Sequence, residues 1–204
     1  MTTLLLIRHG ENDFVGRRLA GRLPGVHLNA VGHSQAEALA AVLHNEPVMA
    51  IYASPLDRTM ETAEPLARDL YLSIQAHAGL LEVDFGNWQG KSIAYLKRLK
   101  LWPLVQKHPS QVRFPSGESF VEAQQRVVAT LEEIRKAHPE NERVACFSHC
   151  DLIRLAVAYY LDMPLDAFQR LNIQPASITR LQFVDDKIIL QQVNQVAIAP
   201  VEPA

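Results

Sequence analysis

Cysteine is scarce in this chain of 204 residues, which contains only Cys146 and Cys150. Two cysteines are too few for the disulfide framework of a small secreted domain. The N-terminal apolar run Leu4-Leu5-Leu6-Ile7 is too short for the core of a secretory signal and has no basic lead-in. We therefore expect a cytoplasmic protein with reduced thiols.

Long hydrophobic runs and an excess of one charge are absent as well. No stretch approaches the roughly 20 apolar residues that a membrane span requires. The 20 basic residues nearly balance the 22 acidic ones, for a net charge of −2, which argues against a nucleic-acid or membrane-surface partner. Hydrophobic residues still make up 48% of the chain, which is enough for the core of a globular domain.

Short apolar runs alternate along the chain with segments of helical periodicity. The runs typical of buried strands are 3–7, 50–53, 72–76 and 144–147, and the helical segments are 33–45, 56–70, 120–138 and 151–161. We expect Pro65 to kink or split the second helix, Ser119 to cap the third and Asp151 to cap the fourth. The alternation predicts an α/β fold, a three-layer αβα sandwich around a mostly parallel central sheet.

The rest of the chain adds a pair of strands and two irregular segments. Residues 177–184 and 187–193 predict a terminal hairpin across Asp185-Asp186. Residues 80–115 contain both tryptophans and several helix-breaking prolines, and 197–204 are rich in proline and alanine. We expect a single domain over 1–196, with 80–115 as an irregular cover segment over the site, followed by a frayed tail at 197–204.

Polar residues follow three of the strands. Arg8-His9-Gly10-Glu11 ends the first strand, Ser54-Pro55 leads from the second to Arg58, and Ser148-His149 ends the fourth. Ligands of parallel α/β sheets bind outside the carboxyl ends of the strands, so these clusters should meet at one edge. Arginine matches phosphate oxygens, and a neutral imidazole is a competent nucleophile. Each cluster alone also fits a purely structural role, as the end of a strand, the start of a helix or a core histidine whose hydrogen bonds are made within the protein.

A fourth cluster lies in the irregular segment. Glu82 and Asp84 stand beside Phe85 and Trp88. A carboxyl group near apolar rings has a raised pKa, which suits a general acid. Taken alone, the same stretch also fits a surface loop whose aromatic residues cover the edge of the core.

Together and in this order, these stretches resemble the histidine phosphatase superfamily, also called phosphoglycerate mutase-like. The matching segments are LIRHGE at 6–11, Ser54 with PLDRTMETA at 55–63, LLEVDFGNWQG at 80–90, PSGES at 115–119 and FSHCDLIRLAV at 147–157. The resemblance implies the phosphoglycerate mutase-like fold. It further implies that His9 is the nucleophile and becomes a phosphohistidine, while Arg8, Arg58 and His149 surround the phosphoryl group. Glu82 would protonate the leaving-group oxygen and then activate water.

Substrate contacts are also implied by the resemblance, and here the chain departs from the family pattern. Asn12 replaces the hydroxyl residue that usually follows the first motif, and Cys150 replaces the usual glycine after the second histidine. Gly21 falls where the family has a loop that approaches the substrate. We therefore expect Asn12, Gly21 and Cys150 to bind substrate, with Asp84 as a second candidate for the acid. A cysteine nucleophile at Cys150 is disfavoured because no separate histidine motif pairs with it.

The resemblance implies a metal-independent phosphatase for small organic phosphates. No histidine pair has the spacing of a zinc site, and the acidic residues are not clustered as a magnesium site requires, so we expect no metal and no cofactor. One alternative is a cofactor-dependent phosphoglycerate mutase, for which the basic residues between Lys91 and Arg113 would cover the site. Another is a non-catalytic member that binds a phosphate ligand or a protein.

The expected partner is a small phosphorylated substrate, and its identity is open at this point. The aromatic residues expected to wall the pocket are Phe14, Phe85 and Trp88. The basic residues that would favour a second acidic group on the substrate, or else are surface arginines, are Arg17, Arg18 and Arg22. A homo-oligomer formed through the exposed edge of the hairpin also stays open.

Overall fold

A six-stranded sheet forms the centre of the computed structural model, which describes residues 1–138, 142–185 and 187–196. In chain order the strands are β1 (Thr2–Arg8), β2 (Val48–Ala53), β3 (Ile74–Ala76), β4 (Arg143–Ser148), β5 (Ser177–Val184) and β6 (Lys187–Val196). Across the sheet they lie in the order β3-β2-β4-β1-β5-β6. The first four are parallel, and β5 and β6 form an antiparallel hairpin beside β1. The expected parallel core and the hairpin are confirmed.

Six α-helices accompany the sheet in the described ranges. They are α1 (Ala30–Leu43), α2 (Asp57–Leu70), α3 (Ile93–Leu96), α4 (Trp102–Lys107), α5 (Phe120–Ala137) and α6 (Cys150–Tyr160). Successive residues of a strand point to opposite faces, so Leu5 and Ile7 join the core formed with α1 and α2, whereas Leu4 and Leu6 join the core formed with α5 and α6. Burial on both faces explains the unbroken apolar run of β1. The three-layer αβα sandwich is confirmed.

The start of α1 differs from the sequence-based expectation. The helix begins at Ala30 instead of His33 because the Asn29 side chain caps it, accepting a hydrogen bond of 2.9 Å from the Gly32 N–H. Asparagine is a favoured cap, but the glycine in the first turn obscured the helical pattern. The earlier start brings Gly32 against the chain that follows β1.

Two further helices also depart from expectation. Of the kink or split expected at Pro65, the split is wrong. Helix α2 is one continuous helix, and Pro65 is buried inside it. Burial of that face of the helix compensates for the one hydrogen bond that the proline cannot donate. The expected cap at Asp151 is also wrong, because α6 already begins at Cys150 with His149 as its N-cap. Asp151 therefore lies in the first turn of α6.

The segment 80–115 contains α3, α4 and short 3₁₀ turns at Gly86–Trp88 and Pro109–Gln111. Trp88 stacks on Trp102 with ring centroids 6.2 Å apart, and the edge of Phe114 meets Trp88 at 5.3 Å. These rings join the core of α5 and α6. The division into one domain with a cover segment stays a prediction, and the expected tail at 197–204 lies outside the described residues. No helix in the described ranges has the length and apolar character needed to cross a bilayer.

We expect Tyr71→Gly to stabilise the protein. Tyr71 follows α2 in the left-handed conformation, with φ of 56°, and its side chain is 96% exposed. A Cβ atom costs about 1–2 kcal/mol there, and the greater freedom of glycine in the unfolded chain offsets part of the gain. The free energy of unfolding in urea should rise by about 0.5–1 kcal/mol. Tyr71→Ala keeps the Cβ atom and should change it by less than about 0.5 kcal/mol; equal effects of the two variants would contradict this account.

Candidate active site

The carboxyl ends of β1, β2 and β4 meet at one edge of the sheet. In the register of the strands, Arg8 pairs with Ser148 and Ala53 pairs with Phe147. The three polar clusters therefore converge, as expected. They border a cavity of about 200 Å³. Arg8, His9, Arg58 and Glu82 all line it.

His9 is buried and held in one tautomer. Its Nδ1 atom lies 2.7 Å from the carbonyl oxygen of Gly10. A carbonyl oxygen only accepts hydrogen bonds, so Nδ1 carries the proton and the neutral ring has a free lone pair on Nε2. Burial, together with the positive charges of Arg58 and Arg8, holds the pKa of His9 well below its ordinary value. The ring is therefore uncharged at neutral pH, the form in which an imidazole can act as a nucleophile.

Two glycines in contact fix the chain that carries His9. A Cβ atom on Gly10 would lie 2.8 Å from the carbonyl oxygen of Gly32, and one on Gly32 would lie 2.1 Å from that of Glu11. The Gly10 N–H also donates to Thr62 Oγ1 at 2.9 Å. The absence of a side chain at Gly10 therefore allows close packing against the start of α1.

Two arginines bring unpaired donors to the inner end of the cavity. Arg58 is 1% exposed, and its Nη2 donates to the Gly21 carbonyl oxygen at 2.7 Å. Arg8 donates through Nη1 to the Ile173 carbonyl oxygen at 2.7 Å. Within the described part of the chain, Nε of both arginines and Nη1 of Arg58 are buried with no hydrogen-bond partner. Burial lowers the pKa of Arg58 to about 10, so the guanidinium stays charged at neutral pH. Unpaired cationic donors of this kind fit an anion such as a phosphoryl group.

His149 lies behind Arg58 and is fully buried. Arg58 Nη2 donates to His149 Nδ1 at 3.1 Å, so the ring proton is on Nε2, which donates to Ser54 Oγ at 2.8 Å. Burial and the charge of Arg58 hold the pKa of His149 well below its ordinary value. Its ring centroid is 5.4 Å from that of His9. His149 is not among the described residues that line the cavity, so in this structure it reaches the anion site through Arg58.

Glu82 has the environment of a general acid and base. Its side chain is buried at the cavity wall, and Oε1 accepts a hydrogen bond of 2.9 Å from the Val83 N–H. Burial and the negative charge of Asp151 raise the pKa of Glu82 to about 7. A carboxyl group with this pKa donates and accepts a proton readily near neutral pH.

Asp84, the second candidate for the acid, lies elsewhere. Its Oδ1 accepts from the Gly86 N–H at 2.9 Å, and its Oδ2 lies 3.9 Å from Arg22 Nη1. Among the residues that the structure describes, it is not part of the cavity wall. Asp84 is therefore not placed to protonate a leaving group.

The sequence analysis missed a cluster that holds the backbone of Glu82. Arg22 donates through Nε to the Glu82 carbonyl oxygen at 2.8 Å. Glu118 Oε1 accepts from Arg22 Nη2 at 2.9 Å, from Arg126 Nη2 at 2.6 Å and from the Asp84 N–H at 2.9 Å. Arg22 therefore supports the backbone of Glu82. It is not free to bind a second acidic group of the substrate, which was one of the two roles expected for it. The signal for Glu118 was its place in the PSGES segment.

The three expected substrate-binding residues all line the cavity, namely Asn12, Gly21 and Cys150. The side chain of Asn12 is fixed because Oδ1 accepts from the Phe14 N–H at 3.0 Å. Cys150 Sγ lies 3.5 Å from the Ile173 carbonyl oxygen, and burial raises the pKa of its thiol to about 12. The protonated thiol argues against Cys150 as a nucleophile.

The walls of the cavity differ in part from expectation. Phe14 and Phe85 line it, as expected, but Trp88 is packed into the core and does not. None of the basic residues between 91 and 113, a fully described stretch, lines the cavity; from that stretch only Ile93 does. Two residues that the sequence analysis did not assign, Asp151 and Arg154, complete the wall on the side of α6.

Comparison with known proteins identifies the family. The model of the histidine phosphatase superfamily (branch 1) matches residues 4–196. The chain belongs to this superfamily. Phosphoserine phosphatase 1 of Hydrogenobacter thermophilus is 30% identical to this histidine phosphatase over 202 residues, which cover 95% of this chain and 92% of that protein.

Two further relatives extend the comparison. A probable phosphoglycerate mutase of Proteus mirabilis is 32% identical over 187 residues, covering 90% of this chain and 86% of that protein. The solved structure of a mycobacterial glucosyl-3-phosphoglycerate phosphatase in complex with VO3 superposes with a TM-score of 0.86 at 28% identity, covering 95% and 98% of the two chains. The predicted fold, family and enzyme class are therefore confirmed for this histidine phosphatase.

We expect Glu82→Gln to remove part of the pH dependence of stability. In the folded protein the pKa of Glu82 is raised to about 7. At a pH between the ordinary pKa of a glutamate and 7, Glu82 is therefore protonated in the folded protein and ionised in the unfolded chain. The contribution of Glu82 to stability is full at low pH and is lost as pH rises through about 7. The free energy of unfolding of Glu82→Gln minus that of wild type should therefore increase by about 3 kcal/mol from pH 4.5 to pH 8, because only wild type loses this contribution. Asp84→Asn is the control, and parallel curves for wild type and Glu82→Gln would overturn the shift.

Proposed function

We propose that this histidine phosphatase hydrolyses small phosphomonoesters through a phosphohistidine on His9, without a metal ion. One observation carries the proposal: the neutral His9 ring, with a free Nε2 lone pair, stands beside the unpaired donors of Arg8 and Arg58. Phosphoryl transfer depends mostly on positioning and on electrostatic stabilisation. Arg58, which is buried, and Arg8, which is partly buried, would supply that stabilisation here.

In the first step the phosphoryl oxygens bind Arg8 and Arg58. His9 Nε2 attacks phosphorus in line with the leaving oxygen, so the N–P bond forms as the P–O bond breaks. Glu82 in its protonated form gives its proton to the leaving oxygen, and the alcohol departs. His149 takes part by holding Arg58 through Nδ1.

In the second step a water molecule replaces the alcohol. The Glu82 carboxylate removes one proton from that water as its oxygen attacks phosphorus, and the electron pair of the N–P bond returns to Nε2. Phosphate leaves, and Glu82 is again protonated. A pKa near 7 suits a group that acts as acid in one step and as base in the next.

The composition of the cavity favours hydrolysis over phosphate transfer between substrates. A mutase must exclude water and retain a bisphosphate, which calls for further cations over the site. Lys91 instead lies over the Tyr95 ring, 5.3 Å from its centroid, and Arg113 pairs with Glu122. A cavity of about 200 Å³ fits a small ester. Among the described residues, nothing in the cavity favours a non-catalytic role, because a neutral imidazole, a carboxyl group with a pKa of about 7 and two arginines line it together.

We propose the cytoplasm as the setting of this reaction. Cys146 and Cys150 are both free thiols, Cys146 fully buried and Cys150 partly so. Free thiols of this kind are the ordinary state in a reducing compartment.

We expect His9→Ala to abolish phosphate release from small phosphomonoesters, because no other described side chain in the cavity supplies a neutral imidazole. Wild type should remain active after exhaustive treatment with EDTA. Acid quenching is unsuitable for a phosphohistidine, so the phospho-enzyme should be trapped under alkaline conditions and detected by mass spectrometry on the peptide containing His9. His33→Ala, on the exposed face of α1, is the control. Loss of activity in EDTA that a single metal restores would contradict the proposal.

We expect Glu82→Gln and Asp84→Asn to differ strongly. Glu82→Gln removes the transferable proton and should lower kcat/KM at least about 100-fold for esters with poor leaving groups. The loss in kcat/KM, which reports formation of the phosphohistidine, should be smaller for p-nitrophenyl phosphate, whose leaving group needs little protonation. Asp84→Asn lies outside the cavity and should stay within a few-fold of wild type. Equal losses in the two variants would remove Glu82 from the proton-transfer role.

We expect Arg58→Ala to lower kcat/KM at least about 100-fold, the scale seen when one charge-stabilising donor is removed. Arg68→Ala is the matched control, since Arg68 lies on the same helix but is exposed and pairs with Glu37 on the surface. Steady-state kinetics on one ester under identical conditions measures both. Activity of Arg58→Ala within a few-fold of wild type would contradict the role of Arg58.

A further inference from the structure

The wall of the cavity carries an ion pair that takes no direct part in the proposed phosphoryl transfer. Asp151 Oδ1 lies 3.1 Å from Arg154 Nη1, and the two side chains line the cavity, each 22% exposed. They stand one turn apart at the start of α6, directly after His149 and Cys150. The pair therefore faces the part of a substrate that lies beyond the phosphoryl group.

Each member of the pair keeps one polar atom available. Arg154 is anchored because Nε donates to the Leu171 carbonyl oxygen at 2.7 Å and Nη1 donates to Asp151. Within the described residues, neither Arg154 Nη2 nor Asp151 Oδ2 forms a hydrogen bond. A held cationic donor and a held anionic acceptor thus stand next to each other at the cavity.

Apart from the polar residues already described, the cavity wall offers little to a polar substrate. The apolar side chains that line it include Phe14, Val15, Leu19, Phe85 and Ile93. Arg18 also borders the cavity, but it is exposed and donates to the Gly90 carbonyl oxygen at 3.1 Å. A substrate with two opposite charges near its phosphate would therefore find matching partners on the α6 side.

We propose that Asp151 and Arg154 bind the zwitterionic end of a phosphorylated amino acid, with the ammonium group on Asp151 Oδ2 and the carboxylate on Arg154 Nη2. This inference rests on the proposed function, because it assumes that the phosphoryl group lies at His9. The cavity, of about 200 Å³, accommodates a phosphorylated amino acid with a short side chain. O-phosphoserine is the simplest compound with this chemistry.

Four esters test the two contacts separately. In 3-phosphoglycerate a hydroxyl replaces the ammonium group of O-phosphoserine, phosphoethanolamine lacks the carboxylate, and glycerol 3-phosphate lacks both charges. We expect kcat/KM to be highest for O-phosphoserine and roughly 10- to 100-fold lower for each missing charge, as for hydrogen bonds to charged groups. Equal values for all four esters, with turnover that depends on His9, would refute the zwitterion site and leave the phosphatase function intact.

Two variants assign each contact to its residue. Asp151→Asn should collapse the preference for O-phosphoserine over 3-phosphoglycerate, and Arg154→Gln should collapse the preference for O-phosphoserine over phosphoethanolamine. Both preferences are ratios measured within one protein, so a general loss of folded enzyme does not change them. Arg68→Gln, a surface arginine on α2, is the matched control and should keep both ratios. Unchanged ratios in both variants would overturn the proposal.

The absence of turnover would be informative as well. If wild type hydrolyses none of the four esters, the proposed function fails, and calorimetric titration of the four esters into wild type still tests the site. Tighter binding of O-phosphoserine that is lost in Asp151→Asn and in Arg154→Gln would support the zwitterion site. Equal affinities for the four esters, or a preference that both variants retain, would refute it.

Discussion

The buried positive charge of Arg58 is the constraint on which the rest of the active site depends. A charge removed from water is costly unless it has a counter-charge, yet the guanidinium is 1% exposed and forms no ion pair within the described residues. Its contacts, the Gly21 carbonyl oxygen and His149 Nδ1, are uncharged. The protein therefore holds a cation ready for an anion that a ligand must supply, and no reorganisation is needed when that anion arrives.

This charge also sets the protonation of its neighbours. Together with burial, it keeps His9 and His149 neutral. Glu82 experiences opposing effects, because burial and Asp151 raise its pKa while Arg58 and Arg8 lower it, and the result is a value of about 7. A nucleophile without a proton on Nε2 and an acid with an exchangeable proton thus exist in one cavity at the same pH, which is the condition for both steps of the proposed reaction.

Helix α6 connects the chemistry to the selection of the substrate. His149 is its N-cap, Cys150 and Asp151 lie in its first turn, and Arg154 follows one turn later. The residue that holds Arg58 and the pair proposed to select the substrate therefore belong to one rigid element. A shift of α6 would change the proposed phosphoryl binding and substrate selection together. The helix follows β4 directly, and the hydrogen bond from Arg154 to the Leu171 carbonyl oxygen anchors its start.

The sequence by itself determined the parallel core, the hairpin and the residues of the proposed anion site, because these depend on local periodicity and on short motifs at strand ends. It did not reveal that Pro65 leaves α2 unbroken or that Trp88 belongs to the core, since packing decides both. Only the tertiary structure separated Glu82 from Asp84, two residues apart, by burying Glu82 at the cavity and leaving Asp84 half-buried outside it. It also brought Glu118 to the backbone of Glu82, and Asp151 with Arg154 to the cavity. Contacts between residues distant in the chain, and the burial that shifts a pKa, exist only once the layers have packed.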